Sequence, residues 1–190
     1  LAGTLLLAVI GHLRTAGWVN VLFTIATFAA SVRLALDVFA HGTLISPGKL
    51  FYVDAFNVYL ILLNALVGMT TAIFSAPYMA HELAIGRVDA GRMRLYHAMY
   101  QGFLLTMLVA LSTNNLGILW VAVEGATLAT VLLVSLYRTP KSIEAGWKYF
   151  ILCGVGIAQA LFGTVLIYFA AERVLPGSDE ALLWSVLHQR

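Results

Sequence analysis

Charge is the scarcest commodity in this sequence. Its 190 residues include 11 Lys and Arg and 9 Asp and Glu, so 11% of the chain is charged, where a soluble domain carries roughly 25%. Too few polar residues remain to coat a monomer of this size, which excludes a water-soluble monomeric domain. The single Cys153 excludes a disulfide scaffold and sits in an apolar run, where a thiol packs as a small hydrophobe. With 16 Gly and 4 Pro the chain is neither a collagen-like fibre nor a disordered tail. There is no CxxC, no His cluster at metal spacing, no phosphate-cradling Gly loop and no nucleophile–base pair. No metal, cofactor or enzymatic active site is therefore expected in this chain. The net charge of +2 does not point to nucleic acid, because the basic residues punctuate hydrophobic runs instead of lining a polar face among stacking aromatics.

Hydrophobic residues, by contrast, make up 61% of the chain. A bilayer core about 30 Å thick needs about 20 helical residues. Thr15–Val32, Ala55–Ala80, Ala98–Val123 and Tyr149–Ala171 are all free of charge and His. The run from Ala98 continues through Glu124 to Tyr137, about 60 Å of helix, so it must fold back. Ser112-Thr113-Asn114-Asn115 is its one turn-like cluster. The expected fold is all-α, a polytopic transmembrane helix bundle. It comprises a partial helix over 1–11 and helices at 17–39, 54–79, 95–113, 116–137 and 141–171, then an external loop over 172–190. In that loop Pro176-Gly177-Ser178 reads as a turn and Leu182–Leu187 as the start of a surface helix; Thr139-Pro140 reads as an N-cap followed by the first helical residue. Leu1 opens an apolar run without a cleavage-site pattern, so the chain is expected to be a fragment beginning inside a helix. Arg14, Arg87, Arg92, Arg94, Arg138 and Lys141 fall on one side of the membrane, whereas the other receives Lys49 and Arg173, the latter diluted by Glu172, Asp179 and Glu180. The positive-inside rule makes the first side cytoplasmic and puts the N-terminus of this chain outside.

An ionisable residue at mid-membrane costs roughly 2.5–3.5 kcal/mol on insertion scales, which makes it a functional candidate. Glu124 lies about 12 Å along its helix from Leu116 and about 20 Å from Tyr137. It shares a face with Gly117, Thr127 and Ser135. Two readings stand: a protonated carboxyl bonding a neighbouring helix, or a group that handles protons. Lys148 lies about 10 Å into its helix. It either snorkels to pair with Glu144, four residues earlier, or forms a polar station with Gln159, eleven residues later on the same face. If Gly125, Ala129, Gly156 and Ala160 bring helices five and six together, Lys148, Glu124 and Gln159 mark successive stations across the membrane. The gap of about 10 Å between Lys148 and Glu124 then needs water or another helix. Asn57, Asn64 and Thr71 form a narrow stripe that reads as helix–helix glue, below Asp54. Arg33 and Asp37 read as a self-neutralising pair and His81-Glu82 as a solvated loop pair. His97, on one face with Gln101, is either interfacial or a proton relay.

The stretch from Asn114 to Val165, NNLGILWVAVEGATLATVLLVSLYRTPKSIEAGWKYFILCGVGIAQALFGTV, resembles the antiporter-like, proton-translocating membrane subunits of respiratory complex I and the Mrp cation/proton antiporters. YVDAFNVYL (Tyr52–Leu60) and LYHAMYQ (Leu95–Gln101) add a particular likeness to the large membrane subunit of hydrogenase-4, related to formate hydrogenlyase. The resemblance implies an N-terminal six-helix part of a subunit of about fourteen helices in two inverted repeats. It matches Glu124 to the family's acidic residue on helix five, which pairs with a lysine on helix seven, and Lys148 to the lysine of the helix-six motif. Gln159, Thr127 and His97 are further candidates for a polar pathway. The family's helix-seven lysine lies beyond these residues. Implied partners are other membrane and peripheral subunits of an oxidoreductase in a bacterial or archaeal plasma membrane. The alternatives are a non-pumping anchor of such a complex and a stand-alone cation/proton antiporter.

Overall fold

The computed structural model describes residues 2–10, 15–174 and 180–188. Arg14 and the expected Pro176-Gly177-Ser178 turn lie outside the described residues. The chain runs α1 (Ala2–Ile10), α2 (Ala16–His41), β1 (Leu44–Ile45), β2 (Tyr52–Val53), α3 (Ala55–Ala84), α4 (Ala90–Ser112), α5 (Leu116–Val134), α6 (Pro140–Val174) and α7 (Trp184–Leu187). Among the described residues five helices, α2 to α6, are long and apolar enough to cross a membrane. Their outward faces carry Leu22, Phe39, Phe74, Leu152 and Phe162, all largely exposed. A surface of that kind, on helices of this length, fits lipid and not water. The protein is a polytopic transmembrane helix bundle.

Side-chain caps set where helices begin. The Asp54 carboxylate accepts the backbone N–H groups of Phe56 at 2.9 Å and Asn57 at 2.8 Å, starting α3. Asn115 Oδ1 accepts those of Gly117 and Ile118 at 2.8 and 3.1 Å, starting α5. Thr139 Oγ1 accepts the Ser142 N–H at 3.1 Å, with Pro140 at the first helical position of α6. Asp89 caps α4 through the Arg92 N–H at 2.8 Å, so α4 begins at Ala90 and not near 95. Likewise α3 continues through Ala84 and ends in a turn where Gly86 has φ +74°. There the Gly86 N–H bonds Leu83 O and the Arg87 N–H bonds Glu82 O, the kind of left-handed stop that suits glycine. His81 and Glu82 are therefore helical, not a loop pair. Glu82 is 3% exposed and pairs with Arg87 at 3.3 Å, because the turn swings Arg87 back over it.

Packing runs in a chain of neighbours: α2 on α3, α3 and α1 on α4, α4 on α5, and α6 chiefly on α5. Small residues allow the closest approaches. A Cβ at Gly17 of α2 would lie 3.3 Å from Ala76 Cβ of α3, and one at Gly125 of α5 would lie 2.9 Å from Thr106 Cγ2 of α4. Gly125 thus serves the α4 interface, not α6 as the sequence pattern suggests, and Gly156 has no described neighbour within 4 Å. What joins α5 to α6 is larger and polar: Trp120 Nε1–H donates to Ile157 O at 2.8 Å, and the Thr130 and Tyr149 hydroxyls meet at 3.0 Å. Arg33 and Asp37 are exposed and form no ion pair with each other.

At the end of the bundle opposite the α3–α4 turn, one residue joins three loops. Asn114 is 1% exposed. Its Nδ2 donates to Lys49 O at 2.9 Å and to Ser185 Oγ at 2.8 Å, while its Oδ1 accepts the Ser185 N–H at 3.0 Å. Its backbone bonds Leu50 O and the Trp184 N–H, both at 2.8 Å. The β1–β2 hairpin, the α4–α5 connection and the segment containing α7 are thereby held together, with Lys49 and Glu180 paired across the outside. Asn114→Ala removes three side-chain hydrogen bonds, each worth about 1 kcal/mol net. We expect a loss of about 3 kcal/mol in detergent-solubilised protein, read as a lower thermal midpoint and faster amide exchange over 180–188.

Asp89 supplies a pH-dependent test of a cap. The Arg92 backbone N–H, more than the Arg92 charge, holds its carboxyl below the ordinary 3.8. A lowered folded value means the cap is fully formed above pH 3.8 and is lost as pH falls through the folded value. Amide-exchange protection at Arg92 should drop below that pH, and Asp89→Ala should remove it at neutral pH.

Candidate functional site

The Asn115 cap fixes the start of α5, and Glu124 follows eight residues after Leu116, about 12 Å into the helix. The two cross-links to α6, Trp120 to Ile157 and Thr130 to Tyr149, put Glu124 level with α6 residues between 153 and 155. The side chain is half-buried. Among the described residues it has no hydrogen-bond or ion-pair partner, because its nearest helical neighbours are apolar or already satisfied. Thr127, 8% exposed and one turn on, spends its hydroxyl on Val123 O at 3.1 Å. Gly125, next to Glu124, is closed off by Thr106 of α4.

The other candidates occupy separate places. Lys148 Nζ pairs with Glu144 Oε1, and the two side chains are 71% and 63% exposed. By the same register Lys148 stands about 9 Å from Glu124 along the bundle, and Gln159, exposed, about 7.5 Å to the other side. In depth the order is Lys148, Glu124, Gln159, yet none touches another. His97 lies on the far side of α4 from α5: Thr106, which meets Gly125, is nine residues later, half a rotation around the helix. His97 faces the α2–α3 side and lines a cleft with Gly17 and Ala76. A groove of about 540 Å³ between α5 and α6, walled by Leu128, Leu132, Trp147 and Phe150, carries only Ser135 and Arg138 as polar groups and does not include Glu124.

Three polar contacts escape the sequence reading. Gln101 Nε2 donates to Asn20 Oδ1 at 2.8 Å across α4 and α2. The Tyr100 hydroxyl donates to Gly68 O, and Asn114 gathers the loops. A signal for the first was present: Asn20, Thr24, Thr27 and Ser31 recur at helical spacing along α2. Of the stripe on α3, Asn57 Nδ2 bonds Tyr52 O at 3.1 Å, whereas Asn64 Nδ2 is buried without a protein partner among the described residues.

Residues 113–175, which span α5 and α6 and hold Glu124, Lys148 and Gln159, match the family model described as NADH:quinone oxidoreductase/Mrp antiporter, transmembrane. A protein of Methylacidiphilum infernorum (isolate V4) named hydrogenase-4 component F homolog is 46% identical over 185 residues, covering 97% of this chain and 38% of that protein. Over nearly its whole length the chain is thus similar to this relative, and over α5 and α6 to the antiporter-like family of membrane subunits. Other similar proteins are less alike. NADH-quinone oxidoreductase subunit N 1 of Opitutus terrae is 34% identical over 47% of this chain and 18% of its own length. NADH-quinone oxidoreductase subunit N of Polaromonas naphthalenivorans is 27% identical over 83% of this chain and 30% of its own. The chain thus spans less than two fifths of the length of these relatives.

The α4–α5 contact supports the helix that carries Glu124. Gly125→Val puts a branched side chain where Thr106 Cγ2 already stands 2.9 Å from the Cβ position. Overpacking of that kind costs about 1–3 kcal/mol. We expect a lower thermal midpoint and reduced assembly on native gels, relieved by Thr106→Ala in the same chain.

Proposed function

We propose that the chain is part of a proton-translocating membrane subunit of a respiratory-type oxidoreductase complex, in which redox chemistry in partner subunits drives charge movement here. Glu124 carries this reading: an acid near the middle of a membrane helix, without a hydrogen-bond or ion-pair partner among the described residues. Keeping it there costs stability that a packing residue would not. The family match over α5 and α6 supports the reading, as do relatives named for hydrogenase-4 and for NADH-quinone oxidoreductase.

A carboxylate favours the charged form of a lysine held beside it, and when the two separate the lysine gives up its proton. In the family that lysine stands on the helix after α6. Glu124 then sets the proton affinity of a neighbour instead of carrying every proton itself. Lys148, tied to Glu144, is the polar station toward the start of α6, Thr127 lies between it and Glu124 in depth, and Gln159 continues the polar path beyond Glu124. The end bearing Arg87, Arg92, Arg94, Arg138 and Lys141 faces the cytoplasm. The partners are the membrane and peripheral subunits of the complex, which hold the redox groups, in the plasma membrane of a bacterium or archaeon.

The test is Glu124→Gln in the full-length subunit within its native complex. Proton uptake and redox rate are measured in the same energised vesicles. A collapse of protons moved per electron, with the complex still assembled, is the expected result. Unchanged rates and ratio make Glu124 a packing residue and the subunit a membrane anchor.

A further inference from the structure

A cleft of about 520 Å³ lies among α2, α3 and α4, at the end of the bundle where α2 and α4 begin and α3 stops. Exposed Trp18, Ala80 and Ala84 line its mouth, and buried Met79, Met93 and His97 its floor. From the cleft, at Gly17 of α2 and Met93 of α4, a polar ladder climbs inward by single helical turns: Asn20 and Thr24 on α2, and His97 and Gln101 on α4. The Gln101 to Asn20 hydrogen bond at 2.8 Å closes the ladder. Beyond it Val21, Ala72 and Leu104 form a dry apolar cluster.

Two side chains on this ladder are almost wholly buried yet incompletely bonded. His97 is 2% and Asn20 1% exposed, and His97 Nδ1 and Asn20 Nδ2 have no protein partner among the described residues. Thr4 Oγ1, on α1 beside Gly102, is a third orphan. Of the three only His97 lines the cleft, and a buried group with room beside it is satisfied by water, which needs only about 30 Å³ per molecule.

We propose that this cleft is a blind, water-filled proton-binding pocket, open at the Arg-rich end of the bundle, in which His97 takes up and releases a proton. The proton comes from pocket water and returns to it. No fixed charge among the described residues holds the imidazole in one state. Residues 2–10 of α1 include no titratable side chain, and on α2 Arg33, Asp37 and His41 lie about 20 Å or more beyond Asn20. From α3, His81 is exposed, Glu82 is tied to Arg87, and Tyr78 bonds Tyr137. On α4, the Tyr96 ring meets His97 edge-on at 5.2 Å, Tyr100 bonds Gly68 O, Arg92 pairs with Asp89, and Arg94 is exposed. The pocket lies on the face of α4 away from Glu124 and does not depend on the translocation reading.

The test uses the full-length subunit in native membrane vesicles, with Cys153→Ser as background. Met93→Cys is treated with a charged, membrane-impermeant methanethiosulfonate from either side; Ala80→Cys serves the same purpose at the mouth. Modification of both about tenfold faster from the Arg-rich side is expected, because a thiolate forms only in contact with water. In parallel, diethylpyrocarbonate modification of His97, which needs the neutral imidazole, is followed by peptide mass spectrometry against pH. A sigmoidal rise with pH is expected. Cysteines that react only with a lipid-soluble maleimide, or a His97 reactivity that stays flat with pH, overturn the proposal. A changed Glu124→Gln pumping ratio bears on neither readout.

Discussion

Hydrocarbon offers the backbone no hydrogen-bond partner, and every feature of this bundle answers to that. Each spanning segment must be helical from end to end, so that amide and carbonyl groups are satisfied within it. The same rule reaches the side chains. Thr24, Thr27, Ser31, Thr106, Ser112, Thr127, Thr130, Ser135 and Thr164 all return their hydroxyls to carbonyls three or four residues earlier in their own helices. Polar residues can therefore line helix–helix contacts without needing a partner across them, and small ones let the backbones approach, as at Gly17 and Gly125.

Where water begins, the constraint relaxes and the design changes. At one end the caps Asp89 and Thr139 and the Gly86 turn stop and restart helices within a few residues. At the other, Asn114 takes over the role that a hydrophobic core plays in a soluble protein, knitting three loops through its backbone and side chain together. Its amide has no unmet valence: both N–H groups donate and the oxygen accepts. A residue so placed reads in a sequence only as part of a turn.

Against this background of internal satisfaction some exceptions stand out. Beside isolated ones such as Asn64 on α3, the half-buried Glu124 on α5 and the His97–Asn20 ladder between α4 and α2 keep polar atoms in or near the membrane without enough protein partners among the described residues. Each orphaned buried group costs about 1–3 kcal/mol. The two lie on opposite faces of the α4–α5 pair, one turned toward α6 and the other toward α2 and α3, so they are separate sites with separate chemistry.

Hydrophobic runs, one mid-helix acid and the turn at Ser112–Asn115 are local signals, and they suffice for the helical membrane class, the fold-back before α5 and the singling out of Glu124. Spacing along one helix also shows that Lys148 can reach Glu144, as it does. Which helices face each other is another matter. A lipid-facing and a protein-facing residue are both apolar, so periodicity hardly distinguishes the two sides of a membrane helix, as it does in water. That is why Gly125 turns out to serve α4 instead of α6, why His97 belongs with Asn20 and not with Glu124, and why Glu82 sits under Arg87. Composition and short-range pattern thus determined the solvent this protein lives in and its most conspicuous charge. Only the tertiary structure decided its neighbours, because contacts between helices depend on shape and on single hydrogen bonds between residues far apart in the chain.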